Sequence, residues 1–195
     1  MNTRTVVFTA LAVTLLGSLY LVYSPSLSDF SMPGSDSMAS QGVPGLEFTL
    51  SQISKSPPSL LVTLKNNNPS STYTILKWNT PLDPHAANLG VFKLVDAETG
   101  KELKTDVLML RRKMPISQDD LQEIAPGTEH ATEIVFSQPW MPETPGKYKV
   151  RVEGVFRGVW EKAVGDVKEN ELAAYTESPY NNFPFASEEE LLIVE

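Results

Sequence analysis

Two histidines, His85 and His130, are the side chains best suited to acid–base or metal chemistry near neutral pH. A hydrolytic zinc site needs two or three neutral imidazoles on adjacent helix turns or strands, with a position left open for water. His85 lies in a proline-flanked loop and His130 in an alternating run beside Glu129 and Glu133, and neither belongs to an H-E-x-x-H or H-x-H pattern. Both read as solvated side chains. The serines include no G-x-S-x-G elbow, and there is no G-x-x-x-x-G-K-[ST] phosphate loop. Asp119-Asp120 and Glu188-Glu189-Glu190 are paired carboxylates, but neighbours in a helix or a tail face different ways and stay solvated. The chain has no cysteine, hence no thiol nucleophile, thiolate metal site or disulfide. The expectation is a protein that is not an enzyme and carries neither metal nor cofactor.

Binding chemistry is better represented. Arg111-Arg112-Lys113 is a basic cluster that suits an acidic partner or dibasic processing; its plainer reading is a solvated strand end. The loop around Trp78-Asn79-Thr80-Pro81-Leu82-Asp83-Pro84-His85 offers Leu82, Asp83 and His85 as a rim, while Trp78 anchors the core and Asp83 caps the turn. Leu82, Asp83, His85, Arg111 and Arg112 are therefore the candidate partner-binding residues. Trp140, Trp160, Tyr175, Tyr180, Phe183 and Phe185 could line an interface, although a sandwich needs most of its aromatics in the core.

These residues must be positioned by strands. Leu46, Phe48 and Leu50 alternate, then Leu60, Val62 and Leu64, with a Ser-Pro-Pro turn between them. Further strands are expected at 72–78, 91–95, 107–111, 128–137, 147–156 and 159–164, with a hairpin turn over 96–100. Residues 117–124 read as the clear helix, because Ser117 suits an N-cap, Asp119 and Asp120 suit the first turn, and Leu121 and Ile124 share a helical face. About six to eight strands at this spacing, without a βαβ rhythm, predict an all-β, antiparallel, immunoglobulin-like β-sandwich with one short helix. A hydrophobic leader helix precedes it. In the tail, 171–175 suits a helical turn, 181–185 a loop and 191–194 a last strand.

Length and charge set the compartment and the partners. Of 195 residues, 6–23 are apolar apart from Thr9, Thr14, Gly17 and Ser18, and follow Arg4, the lone basic residue before Lys55. This is a signal peptide or a signal anchor, since its length sits at the lower limit for spanning about 30 Å of hydrocarbon. Either way the rest of the chain is secreted or on the lumenal, extracellular side, and a membrane is met only through an uncleaved leader. The expected organisation is 1–24 leader, 25–44 flexible Ser/Pro/Gly linker, 45–164 β-sandwich domain, and 165–195 a C-terminal extension packing on it. A net charge of −8 disfavours nucleic acid as a partner.

An ordered set of segments resembles the amino-terminal pro-region of fungal deuterolysin-type metallopeptidases. The segments are Leu46-Glu47-Phe48-Thr49-Leu50, Val62-Thr63-Leu64-Lys65-Asn66, Asn79-Thr80-Pro81-Leu82-Asp83, and Val91-Phe92-Lys93-Leu94-Val95 ahead of Gly100-Lys101-Glu102-Leu103. They continue with Leu121 through Ile124-Ala125-Pro126-Gly127, then Phe136-Ser137 and Gly146-Lys147-Tyr148. In that family the pro-region is an inhibitory, folding-assisting segment ahead of a zinc protease domain, which this sequence does not contain, so no metal ligand carries over. The resemblance implies a fungal, pro-domain-like binding module whose partner is a protein, a secreted metallopeptidase first. A membrane-tethered lumenal accessory protein is the second reading, and an enzyme of unfamiliar design the third.

Overall fold

The computed structural model describes residues 42–142 and 144–195. The leader and almost all of the 25–44 linker lie outside the described residues. Among the described residues, ten strands form three antiparallel sheets. The first has the order β1 (Leu46–Lys55), β2 (Pro58–Asn66), β6 (Glu129–Val135). The second is β10 (Glu190–Val194), β7 (Gly146–Val155), β4 (Phe92–Asp96), with β9 (Pro184–Ala186) also paired to β7. The third, smaller sheet is β5 (Leu121–Ile124), β3 (Tyr73–Leu76), β8 (Val159–Trp160).

Strand alternation builds the main core as expected. Phe48, Leu60, Val62 and Leu64 from the first sheet join Phe92, Leu94, Tyr148, Val150, Val152, Leu192 and Val194 from the second in one buried cluster. Each fully buried Val, Leu or Phe contributes roughly 1.5–3 kcal/mol. Where the first and second sheets meet at one side, a side chain replaces the ladder: Gln52 Nε2 donates to the carbonyl of Ile193 (2.6 Å), and Ile193 N–H donates to Gln52 Oε1 (3.0 Å). This joins edge strands β1 and β10 and satisfies backbone groups that would otherwise be a free edge.

The helix expected at 117–124 is corrected. Ser117 and Asp120 do form a capping box, with Asp120 Oδ2 accepting from Ser117 N–H (3.0 Å) and Oγ–H (2.7 Å), but it closes a single 3-10 turn, Gln118–Asp120. The chain then extends as β5 and pairs Leu121 with Leu76 and Ile124 with Tyr73. Apolar residues three apart share a face in a helix and lie on opposite faces in a strand. Here the two ends of β5 are buried on opposite faces: Ile124 enters the main core, and Leu121 a second cluster with Leu76, Trp78, Ile116, Trp160, Val167 and Leu172. The α-helix of the described residues is instead α1 (Glu169–Ala173) in the tail, where a helical turn was expected close by.

Two other strands are corrected. Residues 107–111 form no ladder; Leu108 N–H donates to the Asn88 carbonyl (2.8 Å), and Val107, Leu108 and Met109 stay exposed. The strand expected over 159–164 shrinks to Val159–Trp160, since the chain turns at Ala163 into a 3-10 turn. The hairpin turn at 96–100 is present: Asp96 Oδ1 accepts from the N–H groups of Glu98 (3.0 Å) and Thr99 (2.7 Å), and Gly100 takes φ +70°. The loop expected at 181–185 holds for 181–183, and its last two residues enter β9, whose Phe185 packs against Phe48 and Phe156 at centroid distances of 5.3 and 5.0 Å.

That aromatic trio depends on a glycine across the β7–β9 pair. A Cβ on Gly154 would lie 2.6 Å from Phe185 Cζ, and the ring is held from two sides. Gly154→Ala is expected to destabilise the protein by about 1–3 kcal/mol in urea denaturation, because the ring must leave its rotamer or the strands must part. A loss within about 0.5 kcal/mol would show that the trio repacks freely.

Candidate functional site

The loop after β3 is built around a buried carboxylate. Asp83 is 1% exposed, and its two oxygens accept from Asn79 N–H (3.0 Å) and His85 N–H (3.0 Å), closing the turn at both ends. The Arg112 guanidinium pairs with the same carboxylate and also donates to Asn79 Oδ1 (3.2 Å). It lies over the Trp78 ring, 5.5 Å from the centroid. A buried charge needs a partner and hydrogen bonds, and Asp83 has both.

Trp78 is fixed from its other sides. Tyr175 meets it edge-on at 5.7 Å, and Trp78 Nε1–H donates to Asp120 Oδ1 (2.8 Å). Burial opposes ionisation of Asp120, but hydrogen bonds from Trp78 and from the side chain and backbone of Ser117 outweigh it and hold the carboxyl below the usual aspartate range. The failed helix is thus the brace of the indole.

Beside this assembly opens a cleft of about 310 Å³. Trp78, Asn79 and Arg112 line one part of it, Tyr175 and Thr176 another, and Arg157, Asn181 and Asn182 the rest. Asn79 (φ 59°) and Asn182 (φ 61°), the two non-glycine residues with positive φ among the described residues, both border this cleft. Asn tolerates the left-handed region better than most residues, so the loops turn sharply here without glycine.

Of the five residues expected to bind a partner, the fold brings Asp83, Arg112 and His85 together. Asp83 is internal to the loop and His85 is exposed, its Nδ1 3.5 Å from Asp83 Oδ1. Leu82 is corrected: at 6% exposure it belongs to the main core and offers no rim. Arg111 points into solvent and forms no ion pair among the described residues. His130 is half-buried on β6, and burial together with the nearby Lys77 charge pushes its imidazole below the ordinary histidine range. No cluster of three or more metal-ligating side chains occurs among the described residues. Arg157, Asn181 and Asn182 were missed as site residues. Their signal was weak: Arg157-Gly158 reads as a turn and Asn181-Asn182 as a loop, and only the fold sets these loops beside Trp78.

An extended strap forms the second feature. Val107, Leu108 and Met109 are 59%, 49% and 99% exposed, and Met114, two residues beyond Arg112, is 50% exposed. Three consecutive apolar side chains in water, followed by Arg111 and Lys113, differ from the scattered single hydrophobics of an ordinary surface.

Antiparallel strands in layered sheets, with sequence-distant loops gathered around one cleft, define the class of protein. The chain belongs to the immunoglobulin-like domain family, whose model matches residues 45–194. It is similar to an uncharacterized secreted protein of Arthroderma benhamiae, 32% identical over 129 residues. The match covers 65% of this chain and 65% of that relative, just under two thirds of its length.

Proposed function

We propose that this protein is a non-catalytic binding module that acts outside the cell and engages a secreted protease in the manner of a pro-region. The observation that carries the reading is the strap, where Val107, Leu108 and Met109 stand in solvent one after another, whereas the exposed large hydrophobics of the strands, Ile53, Val135 and Leu191, stand singly. Apolar side chains kept exposed beside cations suit a protein partner with an apolar surface and an acidic rim. The secreted relative and the apolar 6–23 leader support an extracellular location. The pro-region resemblance supports a deuterolysin-type metallopeptidase as the first partner to try. In this reading the leader at 1–24 delivers a domain spaced from it by 25–44.

The test mixes the full secreted protein with a purified deuterolysin-type metallopeptidase of the same organism. A one-to-one complex and slowed peptide hydrolysis are expected. Met109→Asp, at a side chain that touches almost nothing, should weaken the complex about tenfold or more without changing the unfolding transition. Neither binding nor inhibition at tens of micromolar protein, or binding that ignores Met109→Asp, overturns the protease reading. A membrane-tethered lumenal role is favoured only by the length of the 6–23 apolar run. An intact amino terminus on the mature protein would select it.

A further inference from the structure

The cleft beside Trp78 holds more hydrogen-bond donors than the fold uses. Arg157 is exposed and forms no ion pair or side-chain hydrogen bond among the described residues, although the chain carries a net charge of −8. Asn181 and Asn182 use their backbone N–H groups, to the carbonyls of Ser178 (3.1 Å) and Phe156 (2.8 Å), while their side-chain amides make no hydrogen bond among the described residues. Unspent donors converging on one concavity are the usual mark of a ligand site.

The charge balance narrows the ligand. Arg112 is compensated by buried Asp83 and fixed by Asn79 and the Trp78 ring, so it forms a rigid wall rather than a free cation. Asp120 keeps its negative charge, hydrogen-bonded by Trp78 and Ser117, but is not among the residues that line the cleft. Among the residues that line the cleft, Arg157 is therefore the one charge without a counter-charge, and it is matched by a monoanion. Its planar guanidinium fits a carboxylate with two parallel hydrogen bonds. At about 310 Å³ the cleft is at the small end of ligand pockets and suits one side chain or a chain end. Stacking of a sugar or base is disfavoured, because Trp78 is 5% exposed, with Arg112 over its face and Tyr175 against it.

We infer that this cleft binds a carboxylate carried by a peptide, with Arg157 as the pairing cation and the amides of Asn181 and Asn182 as orienting donors. The site shares Arg112 with the strap segment but none of its exposed apolar residues, and it stands whether or not the partner is a protease. A carboxylate on a peptide is either an acidic side chain or a free carboxyl terminus, and the two are told apart by the probe.

The experiment is an NMR titration of the full secreted protein, following the Arg157 Nε–H and the Asn side-chain amides at low salt. The probes are acetyl-Gly-Glu-Gly-amide, acetyl-Gly-Gly-Val with a free carboxyl end, and the neutral acetyl-Gly-Gln-Gly-amide. At least one acidic probe should saturate with a dissociation constant of about 1 mM, the neutral probe should bind at least about tenfold more weakly, and the stronger acid names the source. Arg157→Gln, which removes an exposed and unpaired side chain, should weaken acid binding by about tenfold or more with unfolding unchanged, and Arg157→Lys should restore part of it. No shift at 50-fold that concentration, equal binding of the glutamine probe, or acid binding indifferent to Arg157→Gln overturns the assignment. Failure here leaves the Met109→Asp comparison intact.

Discussion

Arg112→Ala is expected to lower the unfolding free energy by about 3 kcal/mol, the largest effect of any polar substitution near the cleft. The substitution strands the Asp83 carboxylate, 1% exposed, with two backbone N–H donors and no counter-charge. Removing one member of a buried pair typically costs about 3–5 kcal/mol. The lower end applies because the Arg112 side chain is 20% exposed, so water can reach the gap it leaves. Arg112→Lys should recover less than half of the loss, since an ammonium cannot serve Asp83 and Asn79 from one plane while lying over Trp78. Urea denaturation followed by tryptophan fluorescence measures both. A loss below about 1 kcal/mol for the alanine variant would show that water alone satisfies Asp83, and the pair would then have no structural weight.

Removal of residues 190–195 is expected to abolish cooperative folding. The deletion takes away β10, which pairs with β7 from Glu190↔Val150 to Val194↔Gly146, and with it the buried Leu192 (0% exposed) and Val194 (6%). The two side chains alone contribute roughly 3–6 kcal/mol, and the deletion also opens the Gln52–Ile193 junction between the first two sheets. Domain stabilities are typically about 5–15 kcal/mol, so the loss approaches the whole. Leu192→Ala, a milder probe of the same strand, should cost about 3 kcal/mol and keep a single transition. Collapsed amide dispersion and rapid proteolysis are expected for the truncated chain. A sharp urea transition within about 1 kcal/mol of the intact protein would mean that β10 is an accessory to the sandwich.

Strand content and fold class were legible because half-buried strands carry a period-two signal. Leu60, Val62 and Leu64 alternate in the sequence and are each fully buried in the fold. A short strand whose two ends are buried on opposite faces loses that signal. In β5, Leu121 and Ile124 serve different clusters, and their spacing of three imitates a helix. In the strap the opposite occurs: Val107, Leu108 and Met109 have strand composition but no ladder, since β propensity reports what a residue tolerates rather than which edge is free to receive it. The role of Asp83 as a turn cap followed from its place between Pro81 and Pro84. Its pairing with Arg112 did not, because no local rule links residues so far apart along the chain.

By itself, then, the order of residues determined the alternating core, the turns, the acidic charge and the lack of thiol and zinc-hydrolase motifs, all of which depend on neighbours within a few positions. The tertiary structure decided the rest. It buried Leu82, which had been expected at a rim, and braced Trp78 with Asp120 and Arg112. It also brought Arg157, Asn181 and Asn182 to the cleft beside that indole. The physical reason is that a binding cleft is made by loops that strand pairing brings together, and pairing partners are chosen by the burial of whole faces rather than by anything written in the loops themselves.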